Sequence, residues 1–209
     1  MWCETVGPDG GQGPRLGIHL GMGGRIIVES EDGEHAGGEP EHPERGAPKP
    51  EWDRFTVTFA DRGRLRLFDK RRLGRVRLEP DLDGLGPDAR TISAAEFRER
   101  VGRGRAPVKA RLQDQGVLAG VGNLLADEVL WQAAVAPSTP VDQLDDEVLD
   151  RLHAAMQRAL EAAIVNGGVH TGDVIPFRKA GASCPRCGAP MVRSDVGGRS
   201  TWWCSAEQS

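Results

Sequence analysis

The sequence Cys184-Pro-Arg-Cys187 is followed, after sixteen residues, by Cys204-Ser-Ala-Glu207 near the C-terminal end of this 209-residue chain. Two cysteines separated by two residues lie on a tight turn that directs both sulfur atoms towards one tetrahedral cation, and a second such turn closes the cage. Between the two turns, Gly197-Gly198 and the β-prone run Arg199-Ser-Thr-Trp-Trp203 predict a two-stranded hairpin. The segment therefore predicts a zinc-finger β-hairpin whose metal ligands are Cys184, Cys187, Cys204 and Glu207.

The fourth ligand of this zinc site is a carboxylate where the spacing suggests a thiolate. A carboxylate oxygen binds zinc, so Glu207 can complete a three-thiolate site, and a water molecule could serve as the fourth ligand instead. The same cysteines could also form a redox dithiol or remain free buried thiols, but a redox pair needs neither a partner turn downstream nor an arginine-tipped hairpin. We expect about one structural zinc ion per chain.

The charge of the chain is unevenly distributed. The formal net charge is -4 and the pI is about 5.8, which taken globally argues against a nucleic-acid partner. However, nearly every charge from Glu29 to Asp53 is acidic, whereas the next stretch is basic through Arg62, Arg64, Arg66, Lys70, Arg71, Arg72, Arg75 and Arg77. A basic surface can therefore exist within an acidic total.

The cysteine count and the apolar segments predict the compartment. Three of the four cysteines belong to the predicted finger and Cys3 stands alone, so they do not form a disulfide framework. No apolar run approaches the length of a membrane helix, and the N-terminus lacks the basic and apolar segments of a secretion signal. We expect a soluble cytoplasmic protein without a membrane partner.

The hydrophobic pattern predicts an α+β fold whose first part is antiparallel sheet. Short β-prone runs alternate with glycine and predict strands at Leu16–Leu20, Arg25–Glu29, Trp52–Phe59 and Arg64–Phe68. Ser30–Pro50 is rich in Gly, Pro, Glu and His, so we expect it to be a mobile loop between strands.

Helices are expected after Pro87. Ser93-Ala-Ala-Glu96 is a capping box that begins the first of them. Helix-starting and helix-ending residues predict three more, from Pro107 to Gly116, from Asn123 to Pro137 and from about Asp142 to Asn166. We divide the chain into a domain of antiparallel sheet at 1–86, a helical domain at 87–172 and the hairpin at 173–209.

Four separated motifs resemble those of one protein family. They are His19-Leu-Gly-Met22-Gly-Gly, Asp69-Lys-Arg71-Arg72-Leu73-Gly74, Gln113-Asp-Gln-Gly-Val-Leu-Ala-Gly-Val-Gly-Asn123, and the hairpin with Gly198-Arg199-Ser-Thr. In this order, from about residue 15 to the C-terminus, they resemble the formamidopyrimidine-DNA glycosylase and endonuclease VIII family. The third and fourth motifs are specific, whereas the first two alone are weak.

The resemblance implies a fold and a function. It implies that the domain at 1–86 is a β-sandwich, incomplete in this chain, joined to a helix-two-turn-helix domain at 87–172 and a zinc finger. Double-stranded DNA is expected in the cleft between them. Family members are DNA glycosylases and AP lyases, which excise an oxidised base and then cleave at the abasic site. We expect a monomeric base-excision repair protein that binds DNA containing oxidised bases or abasic sites.

Four positions that match the family are expected to bind the DNA backbone. Gly122 lets the chain approach a phosphate, and Asn123 adds a donor at the start of a helix whose amides attract anions. Arg199 at the hairpin tip has a planar guanidinium whose N–H donors can pair with phosphate oxygens. Lys109 matches a family lysine near the DNA. Without the resemblance, the glycine turn at Gly122 is equally well a simple tight helix connection. The alternative for Arg199 is a solvated turn arginine, and Lys109 alone counts as surface charge.

Three further positions match residues that fill the gap left by an extruded base. In the family these are a methionine, an arginine and a phenylalanine, and this chain has Met22, Arg71 and Leu73 there. Leucine fills volume but does not stack as an aromatic ring does, so the reading of the opposite base can differ. Met22 and Leu73 could instead be buried in the sheet core.

The catalytic residues of the family have no match in this chain. The family nucleophile is an N-terminal proline amine, assisted by a neighbouring glutamate, whereas this chain begins Met1-Trp-Cys-Glu-Thr5. We carry no catalytic role onto Glu4. Because Trp2–Thr5 has the character of a strand inside a domain, we expect Met1 to be an internal methionine of a full-length enzyme. The competing hypothesis is a shortened relative that binds DNA without cutting it.

A function of another class is also compatible with the sequence. Helix-two-turn-helix segments and zinc hairpins occur in RNA-binding and assembly proteins, so a non-catalytic nucleic-acid-binding module with a structural zinc finger is the rival hypothesis. As written, the chain is expected to bind DNA rather than cleave it.

Overall fold

The structure is a computed structural model that describes residues 1–7, 9–21, 24–38 and 49–208. The chain divides into two compact units, Met1–Leu82 and Asp83–Ser209. A further division of the second unit at residue 172 stays a prediction. Within the described ranges, no helix combines the length and the apolar character that crossing a lipid bilayer requires.

The first unit contains two antiparallel sheets. Its strands are β1 (Trp2–Cys3), β2 (Leu16–His19), β3 (Arg25–Ser30), β4 (Gly33–Gly38), β5 (Asp53–Thr58), β6 (Arg64–Phe68) and β7 (Arg75–Leu78). One sheet has the order β1-β2-β7 and the other the order β4-β3-β6-β5. The four strands predicted from glycine-separated runs are confirmed to within one residue at each end, and the strand character of Trp2–Thr5 is confirmed at β1. Strands β4 and β7 were not predicted.

The loop predicted over Ser30–Pro50 is wrong where β4 forms. Every residue of Gly33–Gly38 pairs with β3 across a tight turn, because a strand needs only backbone partners and tolerates a polar face. One of its side chains is anchored as well, since Glu34 Oε2 lies 3.0 Å from the guanidinium of Arg66. The rest of the predicted loop, from 39 to 48, lies outside the described residues.

The second unit is built from helices followed by a hairpin. Its elements are α1 (Ala94–Val101), α2 (Val108–Gln113), α3 (Asn123–Ala133), α4 (Asp146–Val165), β8 (Met191–Val196) and β9 (Arg199–Cys204), with single 3-10 turns at Val141–Gln143, Val169–Thr171 and Ile175–Phe177. The Ser93 side chain caps α1 by accepting a hydrogen bond from the Glu96 amide at 3.2 Å, as the capping box predicts. The predicted α+β class, with a helical domain and a terminal hairpin, is confirmed.

Two apolar clusters lie in the second unit. The larger one joins all four helices and contains Phe97, Leu112, Leu130 and Leu152 among its fully buried members. The smaller one joins α3 to the hairpin through Trp131, Val174, Cys184, Met191 and Cys204. Because α3 contributes to both clusters, it fixes the hairpin against the helices.

Candidate nucleic-acid interface and metal centre

The four predicted metal ligands lie together at the end of the hairpin. The ligand atoms of Cys184, Cys187, Cys204 and Glu207 are all within 4.8 Å of one another, and the Sγ atoms of Cys187 and Cys204 are 3.4 Å apart. A tetrahedral zinc ion with bonds of about 2.3 Å separates its sulfur ligands by roughly 3.8 Å. These four residues could therefore hold a metal ion with little movement.

The protonation of the thiols also fits a cation. Burial raises the pKa of Cys184, but hydrogen bonds from the Trp131 indole and from two backbone amides outweigh this effect and lower it to about 7. A backbone amide lowers the pKa of Cys187, yet desolvation and the neighbouring thiols prevail and raise it to about 11. The Cys184 thiolate therefore forms readily, whereas loss of the proton from Cys187 beside it is unfavourable. A bound divalent cation stabilises both thiolates and removes this cost.

The carboxylate of the cluster is held by an arginine from the first turn. Arg186 pairs with Glu207 through its Nε, donates from Nη2 to the Trp131 carbonyl oxygen at 2.9 Å, and lies over the Trp131 ring at 4.5 Å. Gln208 is buried and fixes the end of the second turn, because it accepts from the Cys204 amide and donates to the Val135 carbonyl. Glu207 is thus positioned at the cluster by its neighbours on both sides.

The opposite end of α3 is open to an approaching ligand. Gly120 has a φ of +99°, which favours glycine at this turn. Gly122 is the N-cap of α3; it is exposed, a Cβ added to it meets nothing within 4 Å, and among the described residues no side chain caps the helix. The first amides of α3 are therefore accessible to an anion.

The hairpin tip is attached beside this helix end. The Asn123 side chain donates from Nδ2 to the Ser200 carbonyl oxygen at 3.1 Å. The turn itself uses Gly197 and Gly198, whose φ angles are +59° and +71°. Arg199 is exposed, and its guanidinium has neither a hydrogen bond nor an ion pair with any residue that the structure describes. The Arg199 guanidinium, unpaired within the described ranges, therefore belongs to the residue next to Ser200, whose carbonyl oxygen accepts the hydrogen bond from Asn123.

Lys109 is located inside the second unit, so its interpretation as a surface lysine is wrong. Its side chain is 0% exposed and its Nζ lies 2.6 Å from Asp127 Oδ1. That oxygen has no aligned hydrogen bond, so Coulomb attraction carries the contact. Desolvation lowers the pKa of Lys109, and the charge of Asp127 opposes this shift. Asp127 Oδ2 accepts from Arg178 Nε at 2.8 Å and from the Trp202 amide at 3.2 Å.

Two of the three residues predicted to fill the gap left by an extruded base, Arg71 and Leu73, lie in the first unit on the loop between β6 and β7. Asp69 is fully buried and accepts hydrogen bonds from the backbone amides of Arg71 at 2.9 Å and Gly74 at 2.5 Å. Arg71 is exposed, and Leu73 keeps 42% of its surface exposed. Burial of Leu73 in the sheet core is therefore wrong.

The turn after β2 lies against this loop. A Cβ added to Gly21 would approach the Leu73 backbone carbonyl carbon to 2.6 Å, so only glycine allows this contact. The third residue predicted to fill that gap, Met22, follows Gly21 and lies outside the described residues. Two motifs separated by fifty residues therefore meet within the first unit.

We expect Asp69→Ala to loosen this loop. Two amides lose a buried acceptor, which costs about 1–3 kcal/mol, and their hydrogen exchange should accelerate at Arg71 and Gly74. Asp69→Asn is the matched control, since it keeps one acceptor oxygen and should give an intermediate exchange rate. Unchanged exchange in the alanine variant would show that the loop does not depend on this carboxylate.

Comparison with known proteins decides the family. The family model of the formamidopyrimidine-DNA glycosylase N-terminal domain matches residues 1–76, and that of its H2TH domain matches residues 84–173. The formamidopyrimidine-DNA glycosylase of Chloroflexus aurantiacus is 34% identical over 216 residues, which cover 90% of this chain and 71% of that protein. This chain belongs to the formamidopyrimidine-DNA glycosylase family.

Other members of the formamidopyrimidine-DNA glycosylase family agree in sequence and fold. The protein from Gloeobacter violaceus is 32% identical, with 92% of this chain and 72% of that protein covered. The crystal structure of the Lactococcus lactis enzyme, bound non-covalently to DNA containing an AP site, has a TM-score of 0.74 and 30% identity over 95% of this chain and 76% of that one. A structure of MutM in complex with DNA containing carbocyclic 8-oxo-G has a TM-score of 0.72 and 29% identity over 95% of this chain and 76% of that one. The predicted family is confirmed.

Sequence reasoning missed the residues that support these sites. Arg186 lies inside the first cysteine turn and Asp69 begins the second of the four family motifs, so adjacency is a signal that could have found both. Gln208 follows Glu207 and carries the same signal. Trp131 and Asp127 carry no such signal, because they reach the sites only through the packing of α3.

Proposed function

We propose that this chain is a DNA base-excision repair protein that binds double-stranded DNA containing oxidised bases or abasic sites. The observation that carries the proposal is the junction at Ser200, where the open N-terminus of α3 and the free guanidinium of Arg199 are joined through Asn123. Both features suit phosphate oxygens, which helix amides and arginine bind well. Solved relatives with damaged or abasic DNA support the choice of ligand.

The DNA backbone is contacted by Gly122, Asn123 and Arg199 in this proposal. Arg71 and Leu73, together with Met22, fill the space that an extruded base leaves. The exposure of Arg71 and Leu73 on a loop fixed by Asp69 supports this role. The family has a phenylalanine where this chain has Leu73. Because leucine does not stack as an aromatic ring does, Leu73 acts only through the volume that it fills.

A structural zinc ion is the metal we propose for Cys184, Cys187, Cys204 and Glu207. Thiolates favour zinc over the hard cations, and a closed four-ligand set is typical of structural sites. The ion would tie the two turns of the hairpin together and thereby stabilise the Arg199 tip. The thiol-rich site suits a reducing compartment, and we propose a monomer that acts on DNA in the cytoplasm.

The proposal assigns recognition to this chain and assigns no catalytic residue within it. Base excision and strand cleavage in the family need an amine that forms an imine with the sugar. Trapping with borohydride on abasic DNA separates the two hypotheses. A glycosylase and AP lyase gives a covalent adduct, whereas a non-catalytic nucleic-acid-binding module shifts the DNA and leaves none.

We expect the chain to prefer an abasic duplex to the intact duplex by at least about tenfold at low ionic strength, since extruding a stacked base costs more than about 1.4 kcal/mol. Arg199→Ala should lower the slope of log affinity against log salt by about 0.9, the contribution of one phosphate contact. Arg103→Ala, which removes an exposed arginine far along the chain from the hairpin, is the charge-matched control. Equal affinity for both duplexes would contradict the proposed function.

A further inference from the structure

The ammonium group of Lys109 is surrounded by acceptors of the protein itself. Its Nζ lies 2.6 Å from Asp127 Oδ1, 2.7 Å from Thr201 Oγ1 and 3.3 Å from the Ser200 carbonyl oxygen. A lysine ammonium has three N–H donors and no acceptor. Thr201 and Ser200 accept two of these donors, and the side chain is 0% exposed, so no surface of Lys109 remains for a DNA phosphate.

The Thr201 hydroxyl links Lys109 to the residue at the hairpin tip. Because the ammonium can only donate, the hydroxyl accepts from it, and its single hydrogen is left for another acceptor. That acceptor is the Arg199 carbonyl oxygen, 2.9 Å away. Thr201 is fully buried, so no water competes for either bond.

Two further attachments hold the same turn. A Cβ added to Gly197 would lie 2.9 Å from the Ala110 Cβ, which shows that the turn lies directly on α2 next to Lys109. Asn123 donates to the Ser200 carbonyl oxygen from the start of α3. Bonds from two helices therefore hold the two residues that follow Arg199, at the Ser200 carbonyl oxygen and the Thr201 hydroxyl. The Arg199 guanidinium, by contrast, forms no bond among the described residues.

A stabilising role alone does not explain a buried lysine. Apolar side chains of similar volume stabilise a protein as well as a buried ion pair does, or better. They cannot supply directional bonds to Thr201 and Ser200. The hydrogen bonds to the hairpin are thus the property that only lysine brings to this position.

We infer that Lys109 is a positioning residue for DNA recognition, which acts through Thr201 on Arg199 and does not contact DNA. The inference rests on the proposed function for the identity of the ligand. Its structural part, the fixing of the hairpin tip, stands without DNA. Lys109 and Arg199 therefore act as one unit, in which only the guanidinium of Arg199 contacts a DNA phosphate.

A double-mutant cycle with abasic duplex DNA tests this coupling. Lys109→Met should weaken binding by about tenfold when Arg199 is present and by less than about twofold in the Arg199→Ala background, because coupled residues are not additive. A direct phosphate contact by Lys109 predicts the same loss in both backgrounds, and that result would overturn the inference. So would an Arg199→Ala variant that binds as tightly as the unchanged chain.

The Thr201 position gives a test that does not leave Asp127 without its lysine. Thr201→Val removes the hydroxyl with little change of shape, whereas Thr201→Ser keeps it. We expect amide hydrogen exchange at Arg199 and Ser200 to rise about tenfold in the valine variant and to stay within about twofold in the serine variant. Equal exchange in both variants would refute the positioning role. The measurement needs no DNA, so it decides the inference even if the chain shows no preference for abasic DNA and the proposed function fails.

Discussion

Asp127→Ala is expected to lower the free energy of unfolding of the second unit by about 3–5 kcal/mol, because it leaves a buried charge without its partner. Among the described residues, Asp127 is the only carboxylate that lies against both Lys109 and Arg178. Arg178 keeps 13% of its side chain exposed and can turn towards water, but Lys109 is fully enclosed. The loss should be measured by denaturant unfolding near neutral pH.

The pH dependence of this loss identifies its cause. Without Asp127, desolvation of Lys109 is unopposed, so its pKa in the folded variant falls further below the unfolded value of about 10.4. The unfolded state then binds more protons between the two pKa values, and stability rises with pH in that window. The deficit of the variant should therefore shrink towards about pH 10.

Asp127→Asn is the matched control for shape. The amide oxygen still accepts from Arg178 or from the Trp202 amide, whereas the charge that neutralises Lys109 is lost. We expect an intermediate deficit with the same pH trend. A loss below about 0.5 kcal/mol in the alanine variant, within the range of an ordinary surface change, would show that Asp127 is not the centre of this network.

Cys204→Ser is expected to have the other large effect, on metal affinity and on the hairpin. Cys204 is 0% exposed, its Sγ lies 3.4 Å from that of Cys187, and its amide is bonded to Gln208. Loss of one thiolate should weaken zinc binding by more than about 100-fold, the upper limit for loss of an outer contact. Since zinc binding supplies about 10–16 kcal/mol to structural fingers, the hairpin should unfold at low free zinc.

Two further variants serve as comparisons for Cys204→Ser, one with an added thiolate and one outside the cluster. Glu207→Cys supplies the fourth thiolate and should tighten zinc binding, because thiolate is the softer ligand. Cys3→Ser removes the cysteine of β1, outside the cluster, and should change nothing. Elemental analysis and chelator competition measure the metal, and tryptophan fluorescence reports the hairpin through Trp202 and Trp203. A folded hairpin that binds no zinc in the unchanged chain would contradict the assignment.

Local sequence patterns predicted those parts of the structure that depend on neighbouring residues. The Ser93 cap, the Gly197-Gly198 turn and the end of α4 at Asn166 each need only a few adjacent residues in one conformation, and all three occur in the structure. The composition of Ser30–Pro50 misled the prediction for the opposite reason. Within this segment, Gly33–Gly38 forms β4 because the edge of β3 offers backbone hydrogen-bond partners, and its own apolar content does not decide the pairing.

The sequence by itself determined the family, the helices, most of the strands and the four residues that could hold a metal ion, because the spacing of cysteines and glycines in tight turns constrains the local geometry. Only the tertiary structure decided that Lys109 is buried, and that Asp127 joins α2, α3 and the hairpin. Lys109 and Thr201 are separated by 92 positions. No spacing rule connects them, since a charged side chain is driven inside only by partners that distant segments bring to it.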